Sequence, residues 1–306
     1  MAAKPSIPPT FPALLVIVLT GAGGAPVAAQ DTAKGAALMA EARSALGSQE
    51  RLGAVRTLDV RGDFKRALGP ANVEGDLQIR LEVPDKLRRD EDVSLPGGGP
   101  AMVQTEVLNG TTVWEENSGR AGFIGRFGRG DGGRGFPGGG GGRAAIDPAQ
   151  LEDAQRRARQ TELARFLLVW LLATDAPAVW MGTAESPEGK ADVLEITPVS
   201  GPPTRLFLDQ ASHMPLMITW QGAAPQLFAG VRRGRGAGRG DGTQAAPPPP
   251  RAEQATLRMT LGEYKAVNGV KLPHLITRGI NDMTIEEWAI DSYRINPSFR
   301  ADVFTR

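Results

Sequence analysis

The chain has 306 residues, of which 41% are hydrophobic and 23% are charged, and its formal net charge is +1. This balance gives no overall attraction to nucleic acid or anionic lipid. The absence of cysteine excludes disulfides, thiol nucleophiles and cysteine-ligated metal sites, and it leaves only His213 and His274 as sources of imidazole. The length is ample for one compact core that is stabilised by packing alone.

The N-terminus has the pattern of an export signal. Lys4 supplies a positive charge, residues 11–20 form an apolar run, and small residues at 25–29 precede Gln30. The alternative, an uncleaved membrane anchor, is disfavoured because the run is about half of the roughly 20 residues needed to cross a bilayer. We therefore predict a signal peptide at 1–29, cleaved after Ala29. The mature chain, 30–306, is then a single exported domain, periplasmic or otherwise outside the cytoplasm, soluble and without a transmembrane segment.

Most of the remaining sequence alternates between apolar and polar residues with a period of two, which is typical of strands with one buried face. The clearest examples are 58–64 and 73–83, which are separated by a turn at 68–71. Asn109-Gly110 and Asn268-Gly269 each predict a tight hairpin, because both residue types tolerate positive φ. Pro84-Asp85-Lys86 leads into a third strand, and further strands are predicted at 103–108, 111–115, 178–184, 191–198, 205–209, 216–221, 256–266, 270–278 and 284–295. Short connections between so many strands predict an antiparallel meander that curls into a barrel or half-barrel.

Two low-complexity segments interrupt this pattern, at 119–143 and 223–251. Both are rich in glycine and arginine, and they hold too few large apolar residues to offset the entropy of ordering. We interpret them as flexible inserts between strands. Arginine-glycine segments also occur in proteins that bind single-stranded nucleic acid, but for an exported chain the solvated loop is favoured and no nucleic-acid partner is expected.

Two helices are predicted to cover the concave side of the sheet, one at about 32–46 and one at about 148–173. In the second helix Leu163, Phe166, Leu167, Trp170 and Leu171 fall on one stripe at helical spacing. Its first half, 152–160, is rich in arginine and glutamine and is expected to lie in solvent. Within the stripe, we expect Leu167 to pack in the core and Trp170 to line a ligand cavity.

The order of these elements resembles the LolA-like periplasmic carriers and the outer-membrane lipoprotein-sorting proteins. The matching segments are Ala45-Leu46-Gly47, Pro84-Asp85-Lys86, Asn109-Gly110 with Trp114, residues 209–215, Tyr264 with 268–273, and Tyr293 with Asn296-Pro297 and Phe299. The two inserts, and the absence of a lipid-bearing cysteine, depart from the family pattern. The resemblance implies a mainly β, α+β fold: an antiparallel meander curled into a half-open barrel, with helices on its concave face.

The resemblance further implies a non-catalytic carrier or chaperone that binds lipid or the acyl chains of lipoproteins in the half-barrel. The candidate cavity residues share an apolar or aromatic side chain and an expected inward position: Phe64, Leu77, Ile79, Leu81, Trp114, Phe166, Trp170, Trp220 and Trp288. Ordinary core packing remains the alternative for each tryptophan. A second hypothesis is an envelope sensor or protein-interaction module on the same fold, with envelope proteins as partners and no lipid transport.

The sequence gives little support to an enzyme. It contains no nucleophile elbow, zinc-protease motif or P-loop, and neither histidine lies at metal-ligand spacing, so no cofactor or metal is expected. Glu115-Glu116 and Glu286-Glu287 are pairs of acids, but neighbours on a strand point to opposite faces. An enzyme would require acidic or basic groups that converge inside the cavity with perturbed ionisation.

Overall fold

A computed structural model describes residues 25–68, 71–94, 102–118, 148–172, 176–198, 201–223 and 254–306. The helices are α1 (Ala25–Leu46), α2 (Gln49–Gly53) and α3 (Pro148–Val169). The first strands are β1 (Thr57–Leu68), β2 (Ala71–Glu82), β3 (Lys86–Ser94), β4 (Met102–Asn109) and β5 (Thr112–Ser118). After α3 follow β6 (Ala178–Ser186), β7 (Gly189–Ile196), β8 (Thr204–Asp209), β9 (Pro215–Ala223), β10 (Gln254–Val267), β11 (Val270–Ile280) and β12 (Met283–Ile295).

All of these strands belong to one 12-stranded antiparallel sheet in the order β5-β4-β3-β2-β1-β12-β11-β10-β9-β8-β7-β6. Every neighbour in the sheet is also a neighbour in the chain, except that the last strand, β12, pairs with the first, β1. The sheet is therefore two meanders joined through β1 and β12, with β5 and β6 as its edges. The predicted mainly β fold, an antiparallel meander that forms an open curled sheet, is confirmed.

The two predicted hairpins are present. Asn268 and Gly269 have φ of 50° and 78° and lie between the paired residues Val267 and Val270. This is the geometry of a tight two-residue turn with positive φ. At the other hairpin Asn109 pairs with Thr112, so the turn is centred one residue later than predicted, with Gly110 at φ 61°.

Most buried side chains of the strands point to the concave face and form the main core with the helices. The helices contribute Leu38, Met39, Ala42 and Leu46 of α1, Phe166 and Val169 of α3, and Trp170 directly after α3. The strands contribute Leu58, Ile79, Leu87, Leu108, Leu194, Leu206, Ile218 and Trp288. A smaller cluster of Ala184, Ala191, Val193 and Phe207 lies on the other face of β6 to β8. The period-two pattern of the sequence produces this arrangement, because alternate residues of each strand face the same side.

Helix α1 packs closely against the edge strand β6. A Cβ atom at Gly35 would lie 2.2 Å from the carbonyl oxygen of Ala178, so only glycine permits this approach. The helix begins at Ala25, seven residues before the predicted start, and it is followed by α2, whose first turn is capped by the Ser48 side chain.

Helix α3 ends at Val169 and not near residue 173 as predicted. Leu171 has φ 47°, and the Leu172 N–H donates to the carbonyl oxygen of Leu167 at 2.8 Å. A residue in the left-handed conformation, followed by an N–H that bonds the carbonyl five residues earlier, is a common C-terminal cap of a helix. Glycine is the usual residue at the left-handed position. Leu171 is fully buried, so packing holds it in this conformation.

Three predictions lie largely outside the described residues: the signal peptide at 1–29, of which only 25–29 belong to α1, and the inserts at 119–143 and 223–251, of which only Ala223 belongs to β9. They stay predictions. No helix in the described part of the chain has the length and apolar character to cross a membrane.

Candidate functional site

Eight of the nine predicted cavity residues meet in the core beneath α3; they are Phe64, Leu77, Ile79, Leu81, Phe166, Trp170, Trp220 and Trp288. The structure does not bring Trp114 to them. Val113 packs against the core, so its neighbour Trp114 points to the convex face, where its indole N–H donates to the Phe304 carbonyl oxygen at 3.4 Å. Candidate ligand contacts therefore concern the eight residues of the concave face.

Five ring side chains on this face form a continuous row, in the order Trp288, Phe166, Trp170, Tyr293 and His274. Phe166 stacks on Trp170 with ring centroids 5.4 Å apart and lies 6.0 Å from Trp288. Trp170 meets the edge of Tyr293 at 6.3 Å, and Tyr293 meets His274 at 5.3 Å. Trp170 is fully buried and Leu167 is half-buried, so in the ligand-free protein Trp170 has the deeper position. Its assignment as a ligand contact stays a prediction.

The same concave face carries a buried set of charges that the sequence did not predict. We call it the ionic network; its members are Arg66, Arg89, Arg159, Arg278, Glu91, Glu106, Glu162 and Glu286. Strand register explains the inward position, because Ile79 of the core pairs with Arg89, which pairs with Glu106. Directly paired residues on neighbouring strands point to the same face.

One half of the ionic network joins α3 to the sheet. Glu162 accepts from Arg89 at 2.9 Å and from Arg159 at 2.6 Å. Arg159 also binds Glu106 at 2.6 Å and Glu115 at 3.5 Å. The prediction that 152–160 lies in solvent is thus wrong for Arg159, whose side chain is 14% exposed. Its charge is accommodated because acids on β4 and β5 face it across the gap.

The other half is centred on Glu286. This carboxylate accepts from Arg66 at 2.7 Å, from Arg278 at 2.8 Å and from the indole N–H of Trp288 at 2.9 Å. Arg66 bridges it to Glu91 at 2.8 Å, and Glu91 in turn pairs with Arg89. Glu286 therefore links Glu91 of β3, through Arg66, to Trp288 in the aromatic row.

Burial alone would raise the pKa of Glu162 and of Glu286, but the attraction of the surrounding arginines outweighs it and lowers each pKa to about 2. Burial likewise opposes the charge of Arg89, whereas the neighbouring glutamates hold the pKa of its guanidinium well above the ordinary value. These groups remain ionised at neutral pH. Carboxylates held in this state are suited to ion pairing and not to donating a proton.

The acids that the sequence singled out are distributed as strand geometry requires. Glu286 and Glu115 point inward, while Glu116 is exposed and Glu287 is half-buried opposite Lys65. Neighbouring acids on one strand therefore point to opposite faces. Acids on different strands that point inward are brought together because they bind the same arginines. The sequence of β3 does indicate buried charges. Leu87, Arg89, Glu91 and Val93 occupy alternate positions, so all four side chains lie on the inward face of the strand.

The two histidines do not form a metal site. His274 is buried with Nδ1 2.7 Å from the Ile290 carbonyl oxygen, and His213 lies in the turn before β9 with Nδ1 3.6 Å from Glu41. Within the ranges that the structure covers, no three acidic or histidine side chains are grouped so that they could hold a metal ion. The candidate site is therefore an apolar, aromatic surface bordered by ion pairs.

A curled antiparallel sheet with helices on its concave face is the class of fold that the chain adopts. No family model matches the sequence, and no curated protein does. The chain is similar in fold to a LolA superfamily protein from Nitrosomonas europaea, with 9% identity, coverage of 89% of this chain and 97% of that chain, and a TM-score of 0.46.

It is also similar to an outer membrane lipoprotein-sorting protein domain from Vibrio parahaemolyticus, with 12% identity, coverage of 90% and 97%, and a TM-score of 0.44. A DUF1329 family protein from Desulfovibrio piger shows 8% identity, coverage of 88% and 96%, and a TM-score of 0.43. The LolA-like resemblance expected from the sequence agrees with these similarities. At these values the likeness carries no argument about function, which must come from the site.

Proposed function

We propose that this chain is an exported, non-catalytic carrier or chaperone that binds acyl chains of lipids or of lipidated proteins against the concave face of its sheet. The observation that carries the proposal is the composition of that face. Phe166 of α3 and the adjoining Trp170 pack on large aromatic and aliphatic side chains of the sheet, and the border beside them is built from ion pairs.

The two parts of the face suit different parts of an amphiphile. Apolar surface contributes about 25 cal/mol for each Å² removed from water, so an acyl chain gains most where Phe166, Trp170 and Trp220 lie. Ion pairs at the border attach α3 to β3 and β4. A ligand would replace the apolar contacts of α3 with its own, while the sheet below keeps its backbone pairing.

The function is tested first by native mass spectrometry of the chain purified from a host that contains membranes. A carrier is expected to retain a bound species whose mass, after release, matches a lipid or an acylated peptide. A chain that is recovered empty and that takes up no added fatty acid would contradict the proposal and favour the protein-interaction module.

The site is tested by titrating a fluorescent fatty acid into matched tryptophan variants. Trp170→Leu and Trp220→Leu remove aromatic surface from the concave face and keep an apolar side chain, so both are expected to weaken probe binding severalfold. Trp114→Leu is the control, because Trp114 lies on the convex face beside Phe304. If all three variants bind the probe with the same affinity as the parent chain, the ligand does not bind beside α3.

A further inference from the structure

Arg165 of α3 differs from the other arginines on the concave face. Each arginine of the ionic network has a glutamate oxygen within 2.9 Å. In the described ranges, no carboxylate oxygen lies within 4.0 Å of the Arg165 guanidinium. Its buried Nε has no hydrogen-bond partner there either, a property that it shares with the Nε of Arg89 in the ionic network. Arg165 is thus a partly desolvated cation with unused donors.

Arg165 lies where the ionic network meets the apolar surface. It follows Glu162 by three residues and directly precedes Phe166, which lies between Trp288 and Trp170 in the aromatic row. Its guanidinium carbon is 4.1 Å from the centroid of the Trp220 ring, and Trp220 belongs to the core on β9. Arg165 itself is half-buried, so part of it reaches the border of the face.

The electrostatic surroundings leave the charge of Arg165 incompletely balanced. Burial lowers its pKa to about 10, against the attraction of Glu162, and Arg278 adds to the lowering. Glu162 already binds two arginines, Arg89 and Arg159. Arg278 is in turn engaged by Glu286 at 2.8 Å. An added anion would therefore meet a cation that no described side chain neutralises.

We propose that Arg165 binds the anionic headgroup, carboxylate or phosphate, of a single-chain or lipid amphiphile whose acyl chain lies along Trp220 and Phe166. A guanidinium suits this role because its planar donors match the oxygens of both groups. The Trp220 ring lies 4.1 Å from the guanidinium carbon, and the Nε–H, which has no partner in the described part of the chain, is left for the ligand. The inference rests on the proposed carrier function and narrows its ligand class to anionic amphiphiles.

The test compares three probes that share one acyl chain: palmitate, its neutral methyl ester, and palmitoyl lysophosphatidic acid. Each displaces an uncharged fluorescent lipid from the purified chain below its aggregation concentration. We expect at least one anionic probe to bind about 10-fold more tightly than the ester, as a charged hydrogen bond predicts. Comparison of the carboxylate with the phosphate identifies the headgroup.

The variants isolate the charge of Arg165. Arg165→Met keeps an apolar stem over Trp220 and is expected to bring the affinities for the anion and the ester to about the same value. Arg165→Lys keeps the charge and is expected to retain a reduced preference. Arg258→Met is the matched control, because Arg258 is half-buried on the convex side of β10 and bonds the Asp282 carbonyl oxygen at 3.2 Å.

The outcomes separate this inference from the function on which it rests. If no probe binds the parent chain, the carrier function itself fails. If ester and anions bind equally, or if Arg165→Met keeps the full preference, the headgroup site is overturned while the carrier function stands. If Arg165→Met does not fold, as judged by circular dichroism, Arg165→Lys and the loss of preference at high salt decide the question.

Discussion

The two long helices on the concave face are attached to the sheet in different ways. Helix α1 approaches β6 through the backbone of Gly35 and buries Leu38, Met39, Ala42 and Leu46 on one side. Helix α3 has an apolar end at Phe166 and Val169 and a charged segment before it at Arg159 and Glu162. We infer that α1 is held rigidly against the sheet. The attachment of α3, in contrast, depends on a charge balance that a ligand or a change in pH can alter.

The largest expected effect comes from removing a charge from beneath α3. Arg89→Met leaves each acid with another arginine but gives the buried ionic network an excess negative charge. Breaking a buried ion pair from one side typically costs about 3–5 kcal/mol, and we expect the low end of that range in the free energy of unfolding. Urea denaturation at neutral pH measures it.

Arg258→Met serves as the control for that experiment too. The same substitution on the convex face is expected to change the free energy of unfolding by no more than about 1 kcal/mol. If both variants lose equally little stability, the ion pairs do not hold α3, and the contrast with α1 disappears.

A pH series examines the same ion pairs in the unmodified chain. The pKa of Glu162 and that of Glu286 are about 2 in the folded protein, below the ordinary value of 4.5. Depressed carboxyl pKa values stabilise the folded state above pH 4.5, and this stabilisation is lost as the pH falls toward 2. We therefore expect the urea midpoint to fall progressively between about pH 4.5 and 2.

The Glu286→Gln variant shows how much of that slope comes from the ionic network. It cannot gain a proton at this position, so its urea midpoint should depend less steeply on pH within the same window. An identical slope in the variant and the parent would mean that other acids cause the loss of stability and that Glu286 is not part of the pH response.

The smallest effect is expected at the α1 contact. Gly35→Val places a side chain where the Ala178 carbonyl oxygen lies 2.2 Å from the Cβ position, so α1 must move away from β6. Overpacking of this kind costs about 1–3 kcal/mol, measured as a shift in the urea midpoint.

Gly53→Ala in α2 is the matched glycine control. No atom lies within 4 Å of the Cβ position at Gly53, so no loss is expected, and the helix propensity of alanine can raise stability slightly. If Gly35→Val changed the urea midpoint as little as Gly53→Ala, the close contact between α1 and β6 would not contribute to stability. The contrast with α3 would then be lost.

The sequence by itself determined the local structure. Alternation of apolar residues placed the strands, Asn268-Gly269 formed its hairpin because both residues adopt positive φ, and the stripe that includes Phe166 and Trp170 predicted a helix with one buried side. These features depend on neighbours a few residues apart. Eight of the nine predicted cavity residues meet for the same reason, since each follows the inward phase of its element.

Only the tertiary structure decided which charges are buried. Arg66 and Glu91 are 25 residues apart, Arg89 and Glu162 are 73 apart, and Arg66 and Glu286 are 220 apart, so no local pattern could pair them. A charged residue predicts exposure unless a partner of opposite sign removes the cost of burial. That partner is supplied by the pairing of β12 with β1 and by the position of α3. The same fold places Arg165 over Trp220 without a carboxylate and turns Trp114 to the convex face.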